Sequence, residues 1–198
     1  MHKDNLICPT IYSSENVIVK NDLKFKLDNT KKIFSLNQNV GQSKKFNSTF
    51  KSFFLCAPPP VSNVHENKKT LVFWTRKNSY FVLGDINAKS LVSSFNSIAS
   101  ITDQTGGWVC FGISSKHSKS IFEKLVTFDI DSFKEGEVTR TSINKINCFV
   151  LCKGKNSNYI IVCPTSFMES MKKRLNVNRD IDEDPIFMKV TSGNMKRI

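Results

Sequence analysis

Short apolar runs separated by polar, turn-prone residues recur along the chain after residue 70, and these runs predict short β-strands. The apolar runs are rich in β-branched and aromatic residues, and turn-prone Asn, Ser, Gly and Lys separate them. Earlier in the chain, Asn21-Asp22 lies between two extended runs and predicts a first hairpin. The strands predicted in this way are 17–20, 23–27, 71–76, 80–83, 108–113, 126–130, 148–152, 159–163 and 186–190.

Apolar residues at helical spacing predict short helices between the strands. Leu91, Phe95 and Ile98 lie on one side of such a helix, and Asn87 can cap its start. Pro164 precedes the last helix, where proline is tolerated. The predicted helices are 31–36, 88–98, 116–125 and 167–175. The predicted fold class is α+β, with antiparallel sheets, a few short helices packed on one face and repeated ββα units.

Composition divides the chain into three segments. Residues 1–36 form a hairpin and helix, and 70–198 form an α+β core. Between them, 37–69 is rich in Asn, Ser, Gln and Lys and contains Pro58-Pro59-Pro60, so it predicts an exposed basic loop or linker. Its apolar side chains either pack on the neighbouring domain or lie along a partner. These side chains are Phe46, Phe50, Phe53, Phe54 and Leu55.

The core contains two related units, 70–130 and 146–198. Each unit runs strand, basic turn, strand, helix, and Lys77-Asn78-Ser79 aligns with Lys155-Asn156-Ser157. One inserted residue, Asn158, brings the second strands of the two hairpins into register. Because such a unit cannot bury its apolar face alone, we expect the two units to pair on one sheet.

Part of the core resembles a short module of large DNA viruses and of some topoisomerase-associated proteins. The module runs strand, Gly-Asp, helix, Gly-Gly-Trp, strand, Ser-Lys-Lys/His and helix. The usual glycine pair after the first helix is missing, and Cys110–Ile113 is an insertion or a longer strand. The resemblance implies a compact α+β domain associated with nucleic acid. The matching residues are Ser79–Asp85, Gly106–Val109 and Ser114–His117.

The net charge of +12 favours a polyanionic partner. No run reaches the roughly 20 apolar residues of a membrane span, and the N-terminus lacks the apolar run of a secretory signal. The excess of Lys, Asn, Ser and Ile is typical of an AT-rich genome, such as that of a virus. We therefore expect an intracellular protein, in host cytoplasm, nucleus or virion, that acts as a monomer or a homo-oligomer.

The sequence contains no phosphate-binding loop, dinucleotide fingerprint or nucleophile elbow, so we expect no enzyme activity, catalytic residue or cofactor. Asp129-x-Asp131 could hold a metal in a nuclease, but isolated carboxylate pairs are usually solvated. Cys148 and Cys152 would lie about 13 Å apart on a strand, too far to share one zinc ion. We therefore predict no metal site and reduced, buried cysteines.

Basic residues interleaved with aromatic ones carry the functional hypothesis. Lys and Arg attract phosphates, and exposed aromatic rings stack unpaired bases. The predicted function is non-enzymatic binding of single-stranded DNA or RNA in a virus or similar element. The alternatives are a viral capsid, matrix or nucleoprotein-like subunit and, third, a metal-dependent nuclease. The predicted binding residues are Trp74, Arg76, Lys77, Tyr80, Lys116, His117, Lys119, Lys153, Lys155, Tyr159, Lys172, Lys173 and Arg174.

Overall fold

A computed structural model shows two antiparallel sheets packed face to face, each covered on its outer side by two helices. The α+β class with antiparallel sheets is confirmed. No helix in the described part of the chain has the length and apolar character needed to cross a bilayer. The structure describes residues 17–20, 23–27, 32–67, 70–114, 118–154 and 158–180.

The strands and helices follow one another along the chain with short connections. The strands are β1 (Val17–Lys20), β2 (Leu23–Leu27), β3 (Lys32–Gln38), β4 (Val64–Glu66), β5 (Thr70–Arg76), β6 (Ser79–Gly84), β7 (Ala99–Asp103), β8 (Trp108–Ser114), β9 (Val138–Ile143), β10 (Ile146–Gly154) and β11 (Asn158–Pro164). The helices are α1 (Ser43–Phe54), α2 (Ala88–Ser94), α3 (Ser118–Leu125) and α4 (Met168–Asp180). A short 3₁₀ turn, Thr165–Phe167, leads into α4.

The order of the strands reveals an internal repeat. One sheet runs β4-β5-β6-β3-β7, and the other runs β9-β10-β11-β8-β2-β1. Each sheet, together with the two helices that cover it, is built on the same chain order of strand, helix, three strands and helix. We call β3 to α2 the first unit and β8 to α4 the second unit. The strand that precedes each unit along the chain pairs in the sheet of the other unit, so these two strands are exchanged. β2 precedes the first unit and pairs with β8, and β7 precedes the second unit and pairs with β3.

Equivalent hydrogen bonds join the two units along one edge of the sandwich. The amide of Val64 donates to Gly136 at 2.9 Å, and the amide of Val138 donates to Ser62 at 2.8 Å. The hairpins β5–β6 and β10–β11 are also equivalent, since Trp74 pairs with Tyr80 in the first and Cys152 pairs with Tyr159 in the second. Each hairpin has a register shift immediately after that pair. The two sheets are therefore related by an approximate two-fold repeat.

Three apolar layers hold the sandwich together, because each sheet buries both of its faces. The middle layer, between the sheets, comprises Ile33, Leu71, Phe73, Phe81, Leu83, Cys110, Val138, Phe149, Leu151 and Val162. The layer under α1 and α2 includes Phe34, Leu36, Phe46, Phe50, Phe54, Val72, Tyr80, Val82, Leu91 and Phe95. The layer under α3 and α4 includes Val109, Phe111, Ile113, Phe122, Ile143, Cys148, Val150, Tyr159, Ile161, Cys163 and Met171.

The structure differs from the predictions on both sides of residue 70, and strands β7 and β9 were not predicted. The predicted helix 31–36 is strand β3, whose Phe34 and Leu36 alternate onto the helix-covered face. The predicted linker 37–69 contains α1, because Phe46, Phe50 and Phe54 repeat every four residues and bury one helical face. Residues 126–130 are not a strand, and the predicted strand 186–190 lies outside the described residues.

Candidate functional site

The aromatic residues of the predicted nucleic-acid site are part of the core. Tyr80 is buried and stacks on Phe46, with 5.8 Å between ring centroids. Tyr159 is buried against Phe122, with 4.5 Å between centroids. Trp74 is half-buried against the middle layer. Because helices or the opposite sheet cover both faces of each central strand, these rings offer no platform for bases.

The basic residues of the predicted site are scattered, and several bind neighbouring side chains. Lys153 forms an ion pair with Glu66, and Lys172 forms one with Glu169 at 2.9 Å. Arg174 donates a hydrogen bond to Asn144. Three of the residues are exposed, namely Arg76, Lys77 and Lys173. Lys116, His117 and Lys155 lie outside the described residues, and Lys119 is on α3.

The strands that flank the two basic turns lie in different sheets, and Arg76 and Lys153, on those strands, lie at opposite ends of the sandwich. Near the first turn, Phe81 of β6 contacts Phe149, with 5.9 Å between ring centroids. Phe149 lies near the start of β10, away from the second turn. Toward the second turn, Lys153 pairs with Glu66, whose strand partner Leu71 lies near the start of β5. The expectation that the two predicted units pair on one sheet is therefore wrong, because Arg76 and Lys153 belong to different sheets.

Groups that could carry catalysis are occupied by structural contacts. Burial raises the pKa of Cys148 to about 12, and burial followed by the neighbouring Cys148 raises the pKa of Cys163 to about 12. Both thiols are therefore protonated and poorly nucleophilic near neutral pH. Asp129 accepts a hydrogen bond from the amide of Asp131 at 2.9 Å and closes a turn. Within the described residues, no group of three or more His, Cys, Asp or Glu side chains could hold a metal ion.

The feature that the structure does assemble is an exposed basic surface over the first unit. Helix α1 buries Phe46, Phe50 and Phe54, and Phe95, just after α2, packs on the first of them with 5.7 Å between ring centroids. The two helices therefore lie side by side on the sheet and turn their polar sides outward. We call the exposed lysines on these polar sides the basic helical face. They are Lys44, Lys45, Lys51 and Lys89.

The basic helical face has no balancing charge within α1 or α2. Neither helix contains an acidic residue. None of the four lysines forms an ion pair with another residue in the part of the chain that the structure describes. Sequence reasoning missed this face because it placed α1 in a linker. The available signal was the combination of phenylalanines every four residues with lysines on the remaining positions and no carboxylate.

Comparison with solved structures shows which fold this is. A chain of heterotetrameric sarcosine oxidase from Corynebacterium sp. U-96 matches with a TM-score of 0.70 and 14% identity, over 83% of this chain and 88% of that one. Aminomethyltransferase T of the glycine cleavage system from Bartonella henselae matches with a TM-score of 0.55 and 7% identity, over 76% of this chain. This chain covers 44% of that enzyme's length.

A weaker match, to the regulatory subunit of aspartate kinase from Thermus thermophilus, has a TM-score of 0.38 and 6% identity, over 78% of this chain and 96% of that one, which is too low to support an argument. No family model and no curated protein matches the chain. The resemblance to the viral and topoisomerase-associated module stays a prediction.

These matches correct the predicted function. The prediction of a viral nucleic-acid-binding protein is wrong, because the fold is shared with chains of two metabolic enzymes. The residue geometry agrees, since Tyr80 and Tyr159 are buried, Trp74 is half-buried, and the strands that flank the two basic turns lie in different sheets. The error came from the net charge, which reports an attraction to anions without specifying which anion. The chain has the fold found in a subunit of heterotetrameric sarcosine oxidase.

Proposed function

We propose that this protein is a small, non-catalytic subunit of a multi-subunit amine-oxidising enzyme of the heterotetrameric sarcosine oxidase kind. The supporting observation is the fold match at a TM-score of 0.70. The shares covered, 83% of this chain and 88% of the other, are nearly equal, so the two chains are of similar length. The likeness therefore extends over almost a whole subunit of a hetero-oligomer.

The distribution of chemical groups supports a role through the surface. The tyrosines of the strands are packed under the helices, and the strand cysteines are buried either there or between the sheets. Burial raises the pKa of Tyr80 and Tyr159. Such groups contribute to the stability of the fold. The first unit instead presents exposed, unpaired lysines, which suit contact with another subunit. The chemistry of oxidation would then reside in larger partner chains.

Purification of the native assembly tests this proposal. The protein carries an affinity tag at its own chromosomal locus, and the purified material is analysed by light scattering and mass spectrometry. We expect at least one larger chain in a fixed ratio to the tagged chain. We also expect oxygen uptake on addition of sarcosine that is blocked by pyrrole 2-carboxylate, the small molecule bound in the matched structure.

The tagged Phe50→Ala variant serves as a control for specific assembly, because loss of a fully buried ring should strongly destabilise the first unit. Its recovery without the larger chain would show that assembly needs the folded sandwich. Recovery of the wild-type protein only as a monomer or a homo-oligomer would refute the proposal.

A further inference from the structure

We infer that the basic helical face is the surface by which this subunit docks onto an acidic surface of a larger partner subunit, an inference that rests on the proposed function. All four of its lysines are exposed. Unpaired charges of one sign on one surface create a field that orients an oppositely charged partner during encounter. The partner is therefore identified by its chemistry, as a protein surface rich in Asp and Glu.

The placement of the charges on α1 argues against a purely structural role. Lys44 and Lys45 occupy the first turn, where the helix dipole disfavours cations and favours acidic side chains. Gln42, at the N-cap position, makes no side-chain capping hydrogen bond to relieve the unpaired amides. By contrast, Asn87 caps α2 by accepting a hydrogen bond from the amide of Ser90 at 3.2 Å. The start of α1 thus carries charge that weakens the isolated helix.

The second unit supplies an internal control for this surface. Its outer helices α3 and α4 occupy the equivalent places, yet they contain Glu123 and Glu169 among their lysines. Lys172 uses one of these, Glu169, as an ion-pair partner at 2.9 Å. Because the two units share one backbone plan, the fold itself does not require the uncompensated charge of α1 and α2. The difference therefore points to a contact made by the first unit alone.

Exposed apolar side chains lie on the same unit. Val92 of α2 is 52% exposed and follows Lys89 by three residues, so both lie on one side of the helix. Val40 and Leu55 flank the two ends of α1 and are almost fully exposed. Stable protein interfaces combine an apolar core with a polar, solvent-accessible rim. Four of the five large apolar residues exposed in the described part of the chain, Val40, Leu55, Val61 and Val92, belong to the first unit.

A second copy of this chain is a poor occupant of the face. Two basic helical faces would repel each other, and the whole chain has a net charge of +12. A partner with a surplus of carboxylates gains attraction on approach and pairs the lysines once bound. We therefore commit to a different, acidic subunit as the occupant.

Charge reversal in the native assembly tests the inference. The tagged variant Lys44→Glu/Lys45→Glu/Lys51→Glu/Lys89→Glu is compared with a control that reverses four exposed lysines elsewhere, Lys77→Glu/Lys134→Glu/Lys145→Glu/Lys173→Glu. Both variants change the net charge equally. We expect the partner recovered per tagged chain to fall about tenfold or more in the first variant and to stay within about twofold in the control.

Zero-length cross-linking of the wild-type assembly with a carbodiimide gives an independent readout. We expect amide cross-links from partner carboxylates to lysines of the basic helical face rather than to the four control lysines. Thermal unfolding of both variants checks that each remains folded.

The outcomes separate the two proposals. The partner could still be recovered after reversal of the basic helical face, or it could be lost only in the control variant. Either result overturns the docking surface and leaves the proposed function standing. Cross-links between two copies of this chain overturn the choice of occupant. Absence of any partner in the wild-type preparation overturns the proposed function and the docking surface with it.

Discussion

The first unit packs its helices on aromatic rings, whereas the second packs its helices on branched and sulfur-containing side chains. In the first unit, Phe50 contacts Phe46, Phe54, Tyr80 and Phe95. In the second, Phe122 contacts Tyr159, and its other neighbours in the layer include valines, isoleucines, cysteines and methionines. The same order of strands and helices is thus compatible with two different ways of filling a core.

The outer surfaces of the two units differ as much as their cores. The helices of the first unit carry lysines and no acidic residue, and the helices of the second unit carry both signs of charge. Since the backbone plan is common to both, the fold itself does not demand these differences. The comparison therefore locates the surface on which the proposed docking rests.

Removal of a ring from the aromatic layer should have the largest effect on stability. Phe50→Ala removes a fully buried ring with four aromatic neighbours, so we expect it to lower the free energy of unfolding by about 4 kcal/mol. Phe122→Ala, at an equally buried site with one aromatic neighbour among the described residues, should cost about 3 kcal/mol. Urea unfolding measures both values. Phe167→Ala, at a 45% exposed position, is the control and should change little. A larger loss for Phe122→Ala would contradict the comparison.

Alkaline pH should destabilise the second unit through its buried thiols. Burial raises the pKa of Cys148 and Cys163 to about 12, above the value of about 8.5 for a thiol in an unfolded chain. The unfolded state therefore releases these protons first, so the stability they contribute is complete below about pH 8.5 and is lost as pH rises toward 12. The loss should approach about 1.4 kcal/mol per pH unit for each thiol.

Urea unfolding between about pH 8 and pH 11 measures this dependence. Cys148→Ala/Cys163→Ala should flatten the dependence of the free energy of unfolding on pH. Cys56→Ala, in the first unit and only half-buried, should leave most of it in place. Equal slopes in the double variant and the wild type would show that other groups govern the alkaline loss.

The local elements of the second half follow from sequence because their signals are local. Short continuous apolar runs in β5, β6, β8, β10 and β11 match strands that are buried on both faces, and turn residues separate them. The exchange of β2 and β7 between the two units could not be predicted, because pairing partners far apart in sequence leave no local pattern. β7 was missed because it is an edge strand with small and polar residues, Ala99–Asp103.

The candidate surface was hidden by a wrong assignment near residue 50. Polar composition and three prolines after Cys56 favoured a linker, although the spacing of Phe46, Phe50 and Phe54 is helical. Burial of those rings against Tyr80 and Phe95 outweighs the modest helix propensity of Ser, Asn and Thr. With α1 placed as a helix, its lysines fall on one exposed side. The charge was visible in the sequence, but its location depended on that helix.

A single ion pair between the units should have a smaller effect. Lys153 on β10 pairs with Glu66 on β4, and the side chains are 30% and 47% exposed. The positions related to them by the repeat carry Thr75 and Arg140, so the pair has no counterpart. A double-mutant cycle with Lys153→Ala and Glu66→Ala should give a coupling energy of at most about 1 kcal/mol, and high salt should reduce it. A coupling energy well above that would mean that the pair locks the units together.

The smallest effects come from reversing single charges on α1, and their signs distinguish stability from docking. Lys44 is in the first turn, where a carboxylate is favoured, so Lys44→Glu should raise the free energy of unfolding by about 0.3–1 kcal/mol. Lys51 is in the last turn, where a cation is favoured, so Lys51→Glu should lower it by a similar amount. Both changes remove a positive charge from the basic helical face, so both should weaken recovery of the partner. Urea unfolding of the isolated variants and partner recovery from the tagged assemblies give the two readouts. If recovery rose with Lys44→Glu and fell with Lys51→Glu, it would follow helix stability, and the lysines would have no role in docking. Loss of partner in both variants, with stability moving in opposite directions, requires that the charge itself makes the contact.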